Sequence, residues 1–522
     1  MRFRKRRRYY IAAFVIWLIL LAVLMLAERN AEGSNIHSIG DAIWYFVITV
    51  STVGYGDFFP VTLVGRIAAF PFVLMSVGLL AFLISSILLL FRSLIFPEIV
   101  MRTTMDRHWY VFPVWNQQAQ ALAEKLKGVI VCGTESAAEP FIQLELPAQK
   151  IVSRRKPEDC TILVMGDDSY QSYQKALQLA GTGCRIVCES SYSADASTER
   201  LILFDASDCG ARIYWNENPL EKDGEEILLI GDGKNARALL TRALLTNVYG
   251  PLARVTYHLF GEWDSYLDLH QGIGHVMDLQ KGPCAAAPSS EKDRLIFHDG
   301  PWQAQRSLLA SADRIIVCGD QESENAETAN LVTAWFPAGG RIDCLCGCDL
   351  PGVHSFMKMQ DLYTPENVMQ EHLSRNAILM NDIYRASTGG TAPGWAELTD
   401  FLKQSNIASA DHLAVKIRIL LGEEACPGTA PLTAALCRKA MTAYEARKEK
   451  DADLFRQIEH ERWMRFYSMY NWAYGTKKDN KNRLHPDYRP YNELTLSEQA
   501  KDDYAWELIG AIADFLDQQA VN

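Results

Sequence analysis

At 522 residues the chain is too long for one hydrophobic core, and three or four units are expected. A net charge of -11 with 48% hydrophobic residues is ordinary for a soluble protein, but the average conceals a first hundred residues far more apolar than the rest. The twelve cysteines are scattered from Cys132 to Cys437, which argues against a disulfide framework and suits reduced thiols in a cytosolic body.

Arg2, Arg4, Lys5, Arg6, Arg7 and Arg8 precede an uninterrupted apolar run from Ile11 to Ala27. A basic start before an apolar run also describes a signal peptide. No Ala-x-Ala-like cleavage site is evident and a second long apolar run follows, so a transmembrane helix is expected over about 10–28, basic end in the cytoplasm. Glu28 to Gly40 reads as a polar outer loop. Asp41 is placed to cap a short helix over 41–51 that carries Trp44, Tyr45 and Phe46. Next comes Ser51-Thr52-Val53-Gly54-Tyr55-Gly56-Asp57. Successive carbonyls of Thr52 to Gly56 can face one axis if backbone handedness alternates, which Gly54 and Gly56 permit without a Cβ clash. A soluble chain would use the same residues as a strand and a glycine turn. A second long helix is expected over about 66–96, with Pro71 placed to kink it.

The stretch from Ser51 to Asp57, with its flanks, resembles the pore of K+ channels. The resemblance implies a homotetramer in a lipid bilayer, each copy giving a quarter of a ring of carbonyls that replaces the hydration shell of K+. Thr52, Val53, Gly54, Tyr55 and Gly56 would bind the ion. The 41–51 segment would be the pore helix, its negative C-terminal end towards the ion. Trp44 matches the aromatic that braces the filter, its indole N–H able to reach Asp57; a plain interfacial tryptophan is the alternative. Ile48 stands where some members carry a buried carboxyl. Ser76 stands where a gating glycine is frequent, and Gly78 follows, so the hinge position is open. No Arg-rich helix precedes the pore, so weak voltage dependence is expected.

From Arg102 onwards strands and helices alternate. Trp109 to Phe112, Gly128 to Gly133, Thr161 to Asp167 and Arg185 to Cys188 read as strands. The order returns with Ile227 to Ile230, Arg254 to Phe260, Arg294 to His298, Ile315 to Asp320 and Arg341 to Cys344, an internal duplication of one α/β unit. Such alternation argues for parallel, doubly wound sheets. Cys344, Cys346 and Cys348 fit one face of a strand better than a metal site, since Cys-x-Cys-x-Cys lacks zinc spacing.

A K+ pore followed by two such units resembles the channels with tandem regulator-of-K+-conductance (RCK) domains, whose lobes assemble as a gating ring. In the first copy Pro113 and Trp115 occupy the glycine positions, so no dinucleotide is expected there. The second copy keeps Gly231, Gly233 and Ala236 at a helix N-terminus, where a pyrophosphate could bind, with Glu262 or Asp264 on a ribose. Asp232 weakens that reading, and a turn kept for packing is the alternative.

Residues 386–450 read as a helical connecting region. The final block contains Ile458 to Met464, Asn471-Trp472-Ala473-Tyr474-Gly475, Leu484-His485-Pro486 and Pro490-Tyr491-Asn492. It resembles the repeat domain of ryanodine receptors (RyR). Trp463, Trp472, Tyr474, His485 and Tyr491, with Arg462 and Arg465, are a candidate nucleotide pocket of stacking surfaces and cations. The competing reading makes the aromatics the core of a small helical domain.

The expected architecture is thus an α-helical membrane pore (1–100), two Rossmann-like α/β RCK domains (101–222 and 223–385), a helical connector (386–450) and a small, mainly helical RyR-like domain (451–522). The expected protein is a ligand-gated K+ channel of the cell membrane with both termini cytoplasmic. K+ is the permeant ion and a small nucleotide-type molecule the ligand. Ca2+ gating, a constitutive leak and a tethered nicotinamide-dependent enzyme are alternatives. No catalytic residues, no metal beyond K+ and no nucleic-acid partner are expected.

Overall fold

The computed structural model describes residues 2–91, 95–103, 107–133, 141–166, 168–192, 200–281, 291–336, 340–369, 372–422 and 428–521. Side chains of 2–13, 75–80, 101 and 519–521 lie outside the described set, and with them the hinge positions Ser76 and Gly78. The chain forms two compact units, one of Met1–Asp106 with Leu144–Leu146, the other of Arg107–Gln143 with Pro147–Asn522.

The first unit holds helices α1 (Arg2–Glu28), α2 (Ile39–Val50), α3 (Leu63–Leu90) and α4 (Phe96–Thr103). Asp41 does not cap α2. Ser38 does, accepting from the Asp41 N–H at 3.2 Å while the Asp41 carboxylate accepts from the Ser38 N–H at 2.8 Å. This reciprocal capping box puts Asp41 in the first turn and starts the helix at Ile39. Thr62 caps α3 one way, its hydroxyl accepting from the Gly65 N–H at 2.9 Å, and the helix continues past Pro71. Leu21, Leu24, Ile36, Ala42, Ala68 and Phe72 form the small core that joins α1, α2 and α3. Large apolar side chains such as Phe14, Ile19, Leu26, Phe70, Phe82 and Ile87 face outwards. Among the described residues, no helix is long and apolar enough to cross a membrane.

The second unit opens with β1 (Trp109–Phe112), α5 (Gln117–Ala123), β2 (Val129–Cys132), β3 (Ile142–Leu144), α6 (Ala148–Val152), β4 (Cys160–Val164), α7 (Ser169–Leu179), β5 (Arg185–Glu189), β6 (Leu201–Phe204) and α8 (Ala206–Glu217). The second lobe follows as β7 (Glu225–Ile230), α9 (Lys234–Thr246), β8 (Val255–Phe260), α10 (Asp264–Leu269), β9 (Asp278–Lys281), β10 (Arg294–His298), α11 (Arg306–Ser311), β11 (Arg314–Val317), α12 (Glu322–Trp335), β12 (Arg341–Leu345) and β13 (His354–Phe356).

The sheets run in the orders β3-β2-β1-β4-β5-β6 and β13-β12-β11-β7-β8-β10-β9. Reversed, the second repeats the first with β9 added at one edge. Strands β1 and β4, like β7 and β11, are parallel neighbours on either side of the point where the winding changes direction. Strand β12 stops at Leu345, so the three cysteines do not share a strand face. Cys346 turns inwards and donates to the Cys348 carbonyl at 3.3 Å, while Cys348 is exposed.

Past β13 come α13 (Met359–Leu362), α14 (Pro365–Met369), α15 (Arg375–Ser387), α16 (Asp400–Leu421), α17 (Ala434–Met469), β14 (Ala473–Tyr474), β15 (Leu484–His485), α18 (Leu496–Gln499) and α19 (Tyr504–Val521). Leu362, Tyr363, Val368 and Met369 return to complete the first lobe's core beside Phe112, Leu163 and Val187. Leu413, Ile417, Tyr444, Phe455, Ile458, Trp506 and Ile509 make a helical core from α16, α17 and α19. The last turns of α17 enter the second lobe instead: Met464, Phe466, Tyr467 and Met469 share a core with Leu240, Leu244 and Tyr257.

Candidate ion pathway and ligand sites

After α2 the backbone adopts positive φ at alternate residues, +59° at Thr52, +56° at Gly54 and +76° at Gly56. Two of the three are glycines, as expected from the sequence. Thr52 is not, and its left-handed conformation carried no sequence signal. The N–H groups of Val53 and Gly54 both donate to the Ile48 carbonyl at 3.1 Å, which pins the segment to the C-terminal end of α2. Among the described residues, no carbonyl of Thr52 to Gly56 accepts a hydrogen bond. Five unengaged acceptors in sequence can coordinate a cation. Val53 and Tyr55 are exposed in the single chain. Asp57 accepts from Asn35 Nδ2 at 2.8 Å through its own carbonyl, whereas Trp44 is exposed and, among the described residues, makes no hydrogen bond to Asp57. Glu28, at the end of α1, accepts from the N–H groups of Val61 and Thr62 at 3.0 and 2.9 Å, an anchor that sequence reading missed.

The glycine turn of the second lobe joins β7 to α9 as expected. Gly231 has φ +135°, and a Cβ there would come within 2.7 Å of the Gly319 backbone, so close approach of two loops demands glycine. Ala236 is fully buried in the core. The N-terminus of α9, where a pyrophosphate was expected, holds the chain's own carboxylate. Asp320 accepts from the Lys234 N–H at 3.3 Å and from the Asn235 N–H and Nδ2 at 3.4 Å. A Cβ on Gly233 would collide with that carboxylate. Asp232 accepts from the Glu262 N–H at 2.5 Å, and the exposed Glu262 follows β8 where a ribose-binding residue would stand. Asp320 lies 87 residues beyond Gly233 and no local pattern marked it.

In the C-terminal module the aromatics pack on one another. The Trp463 ring lies 4.1 Å from Tyr467 and 4.9 Å from His485, and the buried Trp472 stacks on Phe401 at 5.4 Å. Tyr474 is exposed, and Tyr491 donates to Asp453 at 3.2 Å. The two arginines expected on a phosphate are committed elsewhere. Arg462 is buried with Nη2 on Glu459 at 2.7 Å, and Arg465 is buried with Nη2 on Asp293 at 2.8 Å and also on Glu461. Burial would raise the Glu459 carboxyl, but Arg462 and Lys416 bring it down to about 2. Both cations lie on the inner face of α17, so the arginines expected on a phosphate are engaged in internal ion pairing.

A cavity of about 880 Å3 opens beside Tyr192, Asp205, Asp208, Arg242, Asp400 and Tyr470. Arg242 Nη2 donates to Asp208 at 2.8 Å and to Gln404 at 2.9 Å, which ties α8, α9 and α16 together at its wall. None of these residues stood out in the sequence. Among the described residues, no group of three or more metal-type side chains is gathered for a metal ion.

Residues 10–93 match the ion channel family. The calcium-gated potassium channel TvoK of Thermoplasma volcanium is 26% identical over 173 residues, 32% of this chain and 41% of that protein. A voltage-gated potassium channel of Aeropyrum pernix is 30% identical over 96 residues, 18% of this chain and 32% of that one. The chain spans between 9% and 41% of the length of the curated relatives it matches first. Among solved structures, the GsuK channel bound to NAD aligns over 72% of this chain and 86% of its own, at 12% identity and a TM-score of 0.32. The matches are to ion channels, not enzymes. Residues 10–93 are thus similar to an ion-channel domain, and the curated relatives just described are potassium channels.

Proposed function

We propose that four copies of this chain form a K+-selective membrane channel gated through its α/β lobes. The observation that carries the reading is the backbone from Thr52 to Gly56, with left-handed residues at alternate positions and every carbonyl unengaged among the described residues. Four such segments around an axis replace the water shell of K+. The outward-facing apolar side chains of α1 and α3 suit lipid and neighbouring copies, with both termini in the cytoplasm. Gating is linkage: a ligand that prefers one arrangement of the lobes shifts the pore to the state joined to it.

The ligand in this reading is nucleotide-like, bound at Gly231, Gly233 and Glu262 after its phosphate displaces Asp320 from the start of α9. Ca2+ is the second reading. It is favoured by the likeness to a calcium-gated potassium channel. Reconstitution of the full chain tests the whole. A tetramer passing K+ and rejecting Na+, with open probability changed by ADP, NAD or Ca2+ on the lobe side, supports the reading. A monomer in lipid, or equal Na+ and K+ flux, overturns it.

A further inference from the structure

The first lobe carries a thiol pair that ion conduction does not use. Cys160 opens β4 and Cys184 directly precedes β5. The two strands pair in parallel with Thr161 opposite Arg185, which sets Cys160 and Cys184 side by side one step earlier. Neighbouring strands lie about 4.8 Å apart, and a disulfide needs Cα atoms roughly 4.4–6.8 Å apart. Both residues are 1% exposed. The Cys184 thiol donates to the Thr182 carbonyl at 3.9 Å. The adjacent Cys160, with help from Thr182 and Arg200, holds Cys184 below the ordinary thiol range against its burial, while the adjacent Cys184 and burial push Cys160 up. One sulfur is thereby the better nucleophile and the other keeps its proton. Cys160 also lines a cavity of about 480 Å3 with His108, Thr161, Gly183, Arg185 and Arg200, which brings small solutes to Cys160 and to the residue preceding Cys184.

We propose that Cys160 and Cys184 form a peroxide-responsive dithiol that closes to a disulfide between β4 and β5. The Cys184 thiolate attacks one oxygen of hydrogen peroxide and the O–O bond breaks. The departing hydroxide takes up a proton and leaves as water, and Cys184 carries a sulfenic acid. The Cys160 sulfur gives up its proton and displaces the sulfenic hydroxyl, which leaves as the second water as the S–S bond forms. Two electrons pass from the two thiols to one peroxide, and a dithiol reductant returns them.

The full chain, in detergent, is treated with hydrogen peroxide, alkylated and mapped by peptide mass spectrometry. The expected result is loss of two of the twelve thiols, a single peptide pair linked through Cys160 and Cys184, and recovery of both thiols with dithiothreitol. Cys160→Ser is expected to trap a sulfenic acid at Cys184 that dimedone labels, and Cys184→Ser to leave Cys160 unlabelled. Peroxide-treated native protein with both cysteines alkylated singly, or either one linked to a different cysteine, overturns the proposal.

Discussion

Glu28 accepts the Thr62 hydroxyl at 2.6 Å and so ties the end of α1 to the start of α3 across 34 residues. The same carboxylate takes two backbone N–H groups, and a Cβ on Gly65 would strike it. Glu28→Ala strands all three donors, at a cost of about 2–3 kcal/mol for hydrogen bonds to a charged group. Gly65→Ala is expected to do similar damage by expelling the carboxylate. Thermal unfolding of the purified protein in detergent checks both, and an unchanged midpoint in Glu28→Ala refutes the anchor.

Gly54→Ala separates conformational cost from crowding. Nothing stands within 4 Å of a Cβ at Gly54, so the methyl group has room, yet φ is +56°. The left-handed conformation costs an L-residue about 1–2 kcal/mol. The variant is expected to assemble normally and to lose K+ over Na+ selectivity, as read by ion flux in liposomes. Retained selectivity would remove Thr52 to Gly56 from the conduction path.

Asp320 is predicted to act as an internal competitor at the α9 N-terminus. Asp320→Asn keeps the shape and removes the charge. Loss of this cap-like contact is expected to lower stability by about 1 kcal/mol. Nucleotide binding, followed by titration of ADP against the melting temperature, is expected to tighten. No tightening, in a variant that folds, would place the ligand elsewhere.

Much of this was legible in the sequence because it is local. Period-2 runs and glycine turns located β1 and β7 within two residues and β11 within three, and the duplication emerged from their order. The filter reading rests on the resemblance of Ser51 to Asp57 to K+ channel pores, and only the positive φ of Gly54 and Gly56 was legible from residue type. What failed was long-range. Asp320 reaches Lys234 from another loop, and Asp293 reaches Arg465 across 172 residues, so no window on the chain contains both partners. Strand β9 and the return of Tyr363 to the first lobe, where it donates to Glu189 at 2.6 Å, escaped for the same reason.

Arg465 is expected to matter for stability rather than ligand affinity. Arg465→Ala leaves Asp293, only 1% exposed, without its closer charge partner, with Arg254 remaining at 3.8 Å. Breaking a buried pair in this way costs about 3–5 kcal/mol. Chemical denaturation of the variant should show that loss. A variant that keeps wild-type stability but loses ligand would restore Arg465 to a binding role.

Acid is expected to unfold the second unit early. His258, beside His298 at 2.9 Å, and His412, which donates to the Val248 carbonyl at 2.7 Å, are buried and both drop to about 3. Burial is the main cause in each, with His298 and Lys416 adding to it. These rings stay neutral in the native state while the unfolded chain takes up protons below about pH 6.5. Stability is therefore full above that pH and declines as pH falls towards 3. Glu459 adds a loss of the same sign below its ordinary range. Melting temperature measured from pH 7.5 to 5 should fall, and His412→Gln should flatten the slope.

Helix α17 has one irregular residue, Asp451, at φ -107° and ψ 17°, where the connector was expected to give way to a separate terminal module. Two helices, 434–450 and 452–469, meet at that kink, and the last turns of the second are interior packing for the second lobe. Truncating the chain at 450 would thus open a hole in an α/β lobe rather than trim an appendage. Whatever the terminal seventy residues sense is felt directly by the sheet they help to fill, with no linker to absorb it.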